Sequence, residues 1–218
     1  MKRFYFLCLG ALLLAAPVLR AEDAVSPPEP SRKPSVYRGF DGGMLLHSGF
    51  LSGRTADLSG AGAQRTQGAP IGIGGVARVH LGEHFRVGFE GYVSTLNLRG
   101  NGSYVKQGWG GVLADFYWIF GRFQPYVGLT VGGGALTHLL MEGDTSRAAA
   151  DDRSWDPVGA SYYRKGGFAT ADPYLGCDFI LTRSIHLSLK LDCLVPFGRS
   201  ASFCPVGPRL YFGVLFYR

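Results

Sequence analysis

Every second residue from Ile185 to Phe197 is apolar (Ile185, Leu187, Leu189, Leu191, Cys193, Val195, Phe197), with His186, Ser188, Lys190 and Asp192 between them. A two-residue period marks a strand with one apolar and one polar face. The apolar face is continuous and bulky while the polar face carries a few charges. That predicts an outer surface wetted by hydrocarbon and an inner one around a narrow polar lumen. The same period recurs, giving eight expected strands over about 37–50, 70–81, 85–96, 104–120, 123–136, 167–181, 185–197 and 206–217.

The connections between these segments alternate long and short. Turns near Gly82, Gly121 and Arg183 are brief, whereas the stretches after Leu51, Arg99, Thr137 and Gly198 are longer, and the one from about Thr137 to Lys165 is long and polar. An all-β, eight-stranded antiparallel up-and-down barrel follows, because an open sheet edge in lipid would leave backbone groups unpaired. Short turns belong on the periplasmic side of a transmembrane barrel and longer loops outside, so an even strand count puts both termini in the periplasm.

The chain start agrees with export. Met1-Lys2-Arg3 is basic, residues 4–19 are apolar, and Leu19-Arg20-Ala21 ends in a small residue, which reads as a signal peptide over 1–21. The apolar run is shorter than the ~20 residues that a spanning helix needs. Residues 22–35 hold Pro27, Pro28, Pro30 and Pro34 and are expected to form an extended periplasmic lead-in, leaving 36–218 for the barrel. Loss of Lys2, Arg3 and Arg20 lowers the formal charge from +6 to about +3, which argues against nucleic acid as a partner. The 33 glycines suit tightly curved strands.

The chain resembles the small eight-stranded outer-membrane barrels of Gram-negative bacteria, the group of the OmpA transmembrane domain, OmpX, OmpW and the opacity-type proteins. The resemblance covers the leader and nearly all of 36–218 and rests on pattern. It implies insertion by the barrel-assembly machinery, outer-membrane lipids and lipopolysaccharide as surroundings, and a structural or surface role. Barrels of this group usually end in an aromatic residue; here the end is Phe216-Tyr217-Arg218, and Arg218 departs from that habit.

Eight strands enclose a lumen that side chains fill. By parity and distance from the turns, Asp41, Arg78, Glu90, Asp115, Asp178, Lys190 and Arg209 are expected to point inward at similar depth, paired with one another and with Tyr92, Tyr117, Tyr126, Tyr174 and Tyr211. A polar plug is the first reading. The second is a narrow channel for ions or small hydrophobic molecules, resembling the ionic gate of OmpA-like barrels. Trp155, Tyr162, Tyr163 and Arg164 in the long loop are candidates for contact with lipopolysaccharide or an extracellular surface, or for anchoring at the membrane rim. Tyr104, Trp109, Phe168 and Phe197 are assigned to an outer aromatic girdle, and Phe85, Trp118, Phe123, Phe216 and Tyr217 to an inner one.

Catalysis has a single faint signal. His186-Leu187-Ser188, with Asp178 and Asp192 near, resembles the His-x-Ser pair of outer-membrane lipid A deacylases, but the residues that follow the serine in those enzymes are absent and the pair lies beside a periplasmic turn. Gly132-Gly133-Gly134 has no following helix and reads as curvature. No metal-ligand spacing, cofactor box or phosphate loop is present. Of the cysteines outside the leader, Cys177 and Cys193 are expected to face lipid about three positions apart, too far for a disulfide. A Cys193–Cys204 bond stays open.

Overall fold

The computed structural model describes residues 36–54, 65–98, 103–141, 156–158, 161–198, 201 and 204–218. The leader and lead-in expected over 1–35, and Trp155, lie outside these residues. Among them the strands are β1 (Tyr37–Gly49), β2 (Leu51–Arg54), β3 (Arg65–Gly68), β4 (Ile71–Leu81), β5 (Phe85–Asn97), β6 (Tyr104–Tyr117), β7 (Phe123–Met141), β8 (Asp156–Val158), β9 (Ser161–Ile180), β10 (Ile185–Cys193), β11 (Val195–Phe197) and β12 (Pro208–Tyr217). Antiparallel pairing runs β10-β12-β1-β4-β5-β6-β7-β9, and β9 pairs back onto β10. The sheet therefore closes on itself as an eight-stranded antiparallel barrel, with β11 continuing the β10 stave.

Both chain ends of the barrel and the three short turns share one end, the turn end: Tyr37 pairs with Leu81, and Asp41 with Tyr217. Gly82 and Gly121 take φ of 64° and 61°, the left-handed conformation that lets a turn of a few residues reverse the chain.

The strand periodicity sorts side chains as the sequence indicated, with the greasy face outward. Met44, Leu46, Ile71, Phe89, Val112, Phe116, Val131, Leu189 and Phe212 are exposed on the outer wall, whereas Asp41, Arg86, Asp178 and Arg209 are wholly buried within. The core is therefore polar and the surface apolar, the reverse of a water-soluble barrel.

Inside, bulk alternates with glycine across the strands. Gly134 lies in register between Trp109 and Phe168, Gly74 faces Tyr92, Gly128 lies between Asp115 and Tyr174, and Gly176 between Tyr126 and Lys190. A Cβ at Gly134 would strike the Gly108 carbonyl first, then the Phe168 ring and the Trp109 side chain. A narrow lumen takes large side chains only where the facing strand has none. In the Gly132-Gly133-Gly134 run, therefore, the inward Gly134 clears space for two rings, where the sequence suggested curvature.

Several expectations are corrected. Trp109 and Phe168 belong to no outer girdle: both are buried in an inner cluster with Leu96, Val105, Leu136 and Leu194, as the parity of Leu113 and Tyr117 on β6 requires. Tyr217 also turns inward, packing edge-on against His80 and stacked on His186, while Trp118 follows the end of β6 half-buried. Phe123, Phe216 and Phe197 do stand on the outer wall.

The expected loop over 137–165 is much shorter. β7 and β9 run 19 and 20 residues and remain paired up to Met141–Ser161, because alternation persists through Leu136, His138 and Phe168. The stretch after Leu51 likewise forms the β2–β3 hairpin. Cys177 pairs with Leu189, so it lies four positions from the level of Cys193, not three. Cys193 keeps outward parity yet is buried, and none of Cys177, Cys193 and Cys204 is joined in a disulfide among the described residues.

Candidate functional site

The lumen gathers the charged residues. Asp41, Arg78, Glu90, Asp115, Asp178, Lys190 and Arg209 are all buried inside it, but they stand at more than one depth. The strands tilt around the barrel, so equal distance from a turn does not mean equal height. Near the turn end, Arg78 Nε donates to Asp41 Oδ1 at 2.7 Å and Arg78 Nη2 to Asp178 Oδ2 at 2.9 Å. Arg86 binds the same group, through Nε to Asp115 Oδ1 at 2.6 Å and Nη1 to Asp178 Oδ2 at 3.0 Å. His80 Nε2 lies 2.5 Å from Asp41 Oδ2, and Tyr174 donates to Asp115 at 3.2 Å. The two guanidinium groups also lie over the Tyr126 ring, at 5.3 and 4.8 Å.

Midway, Lys190 Nζ donates to both oxygens of Glu90 at 2.8 and 2.7 Å, and Thr130 Oγ1 and Tyr92 Oη donate to the same carboxylate at 2.5 and 3.2 Å. The Lys190 ammonium also sits 4.2 Å from the centre of the Tyr174 ring. Toward the loop end, Arg209 Nε donates to Asp192 at 2.9 Å and Nη2 to Asp172 at 3.4 Å. A cavity of about 10 Å³, room for roughly one water, lies between the first two groups beside Arg78, Glu90, Tyr126 and Lys190.

Arg86, His80, Asp172 and Asp192 were missing from the sequence-based network. Each carries the inward parity of its strand: Arg86 alternates with Gly88 and Glu90, and Asp172 with Tyr174. Parity applied to every charged residue finds all four.

His186 and Ser188 both face the lumen, but they are engaged elsewhere. Ser188 Oγ shares a hydrogen bond with the Tyr126 hydroxyl at 3.2 Å, and the His186 ring stacks on Tyr217 at 5.5 Å and 17°. Among the loop candidates, Tyr163 and Arg164 lie on β9 half-buried, Tyr162 is on the same strand with its side chain outside the described residues, and Trp155 is outside them altogether. No group of three metal-ligating side chains occurs among the described residues.

No family model and no curated protein matches the chain. Solved structures do. Neisserial surface protein A superposes with a TM-score of 0.57 over 83% of this chain and 97% of its own, at 12% identity. Ail, the attachment invasion locus protein of Yersinia pestis, in complex with the heparin analogue sucrose octasulfate, superposes with a TM-score of 0.51 over 83% of this chain and 99% of its own, at 10% identity. The chain has the fold of the small outer-membrane β-barrels. At such identities the likeness concerns the fold, and the chemistry of this barrel has to be read from its own lumen and rim.

Proposed function

We propose that the protein is an integral outer-membrane barrel with a closed polar lumen and a structural or surface-interaction role. The observation that carries this reading is the inverted wall: a closed barrel whose outward positions are bulky and apolar and whose buried charges are inside. The strand ladder closes without an edge, so every backbone group in the wall can be paired within lipid. The turn end is then periplasmic and the loop end outside. Cleavage after Ala21 and delivery to the assembly machinery are part of the same reading. The mature chain should need detergent or lipid to stay monodisperse; a monodisperse barrel in plain buffer overturns the membrane assignment.

The paired charges, the rings over them and a cavity of about 10 Å³ support a plug. In planar bilayers the refolded wild-type barrel should give no long-lived conductance steps. Regular steps would favour the channel reading. The hydrolase reading requires imidazole against hydroxyl, whereas Ser188 is bonded to Tyr126; unchanged lipid A mass spectra in cells with and without His186→Ala are expected.

A second observation concerns the rim. Lys106, Thr137 and Lys165 lie side by side in register across β6, β7 and β9 on outward positions, both lysines exposed. Two ammonium groups flanking a hydroxyl suit a phosphorylated or sulfated sugar, the class to which the ligand of the Ail complex belongs. Retention on immobilised heparin should fall with Lys106→Glu and Lys165→Glu; equal retention removes the rim from the surface role.

A further inference from the structure

Six carboxylates and four permanent cations are buried in the described lumen: Asp41, Glu90, Asp115, Asp172, Asp178 and Asp192 against Arg78, Arg86, Lys190 and Arg209. They divide evenly. At the turn end Asp41, Asp115 and Asp178 meet Arg78 and Arg86, and the His80 ring contacts Asp41 as a further partner. Farther up, Glu90, Asp172 and Asp192 meet Lys190 and Arg209 alone. The His47 imidazole there packs against Tyr92 and Tyr211, and neither of its ring nitrogens reaches a partner among the described residues. A dry interior does not tolerate an uncompensated charge.

The contacts locate the imbalance. Glu90 occupies Lys190 with both oxygens, so Arg209 is left to serve Asp192 and Asp172, one oxygen each. The remaining oxygens, Asp172 Oδ2 and Asp192 Oδ2, are buried and carry no hydrogen bond among the described residues, and Arg209 Nη1 and the Tyr211 hydroxyl, which faces Asp192, are left over in the same layer. The two side chains stand on the neighbouring strands β9 and β10 and converge on the one Arg209 guanidinium. Two ionised carboxylates that touch have no hydrogen to share and repel; one proton turns the repulsion into an O–H···O bond.

We propose that Asp172 and Asp192 form a carboxylic acid–carboxylate pair that binds one proton and thereby locks the loop-end half of the lumen. The groups facing the pair come from every neighbouring stave. Lys190 on β10 stands 3.9 Å from Asp172 Oδ2, Arg209 and Tyr211 come from β12, and His47 from β1. Trp109 on β6 lies under the Arg209 guanidinium at 5.0 Å, and Glu90 on β5, with Thr130 of β7 bound to it, acts through Lys190.

In the unfolded chain both carboxyls titrate near the ordinary aspartate value of about 3.9, so at neutral pH folding takes up a proton. Stability from the pair is then present at neutral pH and lost as pH rises. Deprotonation leaves two carboxylates on one guanidinium and loosens the layer, a consequence that rests on the closed-lumen reading.

Infrared spectroscopy of the refolded mature barrel in lipid tests the pair directly. A protonated carboxyl C=O stretch amounting to one group per chain is expected at neutral pH, fading as the sample is made alkaline, and absent in both Asp172→Asn and Asp192→Asn. Each Asn variant mimics the protonated partner, so both should fold and resist alkali better than wild type. A wild-type spectrum without the stretch overturns the proposal, as does a stretch that survives in either variant. Wild-type bilayer conductance at neutral pH reports on the closed lumen independently, so failure of one reading is distinguishable from failure of the other.

Discussion

Arg86 is wholly buried, and its guanidinium reaches Asp115 and Asp178 while lying 4.8 Å from the centres of the Tyr117 and Tyr126 rings. Its planar fork serves the two carboxylates through separate nitrogens, a span that the compact ammonium of lysine does not have. Arg86→Gln removes the charge and leaves Asp115 and Asp178 short of donors inside the barrel. Breaking a buried pair in this way costs about 3–5 kcal/mol. Arg86→Lys should recover part of that loss, and Lys106→Gln on the exposed rim should cost almost nothing. Urea unfolding in lipid vesicles, followed by tryptophan fluorescence, ranks the three; equal midpoints for Arg86→Gln and wild type would mean that the turn-end network adds nothing to stability.

Each strand carries two independent surfaces, so the same substitution tests the membrane side and the lumen side separately. Phe89, 67% exposed on β5, stands midway along the apolar wall, whereas Phe123 begins β7 at the turn end. Arginine at mid-bilayer on a lipid-facing position costs about 2–4 kcal/mol and near an interface about 0–1 kcal/mol. Phe89→Arg should therefore lower the vesicle unfolding midpoint well below that of Phe123→Arg, and a reversed order would displace the bilayer along the barrel. On the inner side, Gly134→Val pushes a branched side chain into the Gly108 carbonyl as well as Trp109 and Phe168, an overpacking expected to cost at least about 1–3 kcal/mol and to shift the Trp109 emission. Strand number, parity and turn positions were legible in the sequence because one face of each strand is uniformly apolar. The alternation also carried Trp109 and Phe168 inside, but aromatic residues near a strand end suit a lipid interface equally well by type. The glycines opposite them decide the matter, and those lie on other strands, in a register that one strand read alone does not contain. The same holds for Asp172 beside Asp192: each position was visible, and their adjacency depends on how β9 meets β10.

For the whole molecule the proposed plug raises the question of whether the loop end is closed as well. Cys204 reports on it from the connection between β11 and β12. The thiol is 2% exposed, packs in the cluster that holds Trp109, Phe168 and Leu194, and accepts a hydrogen bond from Gln107 Nε2 at 3.0 Å. Burial pushes it up to about 12, with nearby Arg209 pulling the other way. The thiolate is the reacting form, so this sulfur is both hidden and protonated at neutral pH. In the mature chain carrying Cys177→Ala and Cys193→Ala, a charged maleimide added from water should label Cys204 far more slowly in the folded barrel than in urea. Raising the pH should speed the folded-state reaction, since it populates the thiolate, and Gln107→Ala should speed it too, by removing the bond that holds the sulfur. Labelling as fast in the folded barrel as in urea, with the barrel still folded by circular dichroism, would mean an open vestibule above Arg209, and the plug would then consist of the Glu90–Lys190 layer and the turn-end cluster alone.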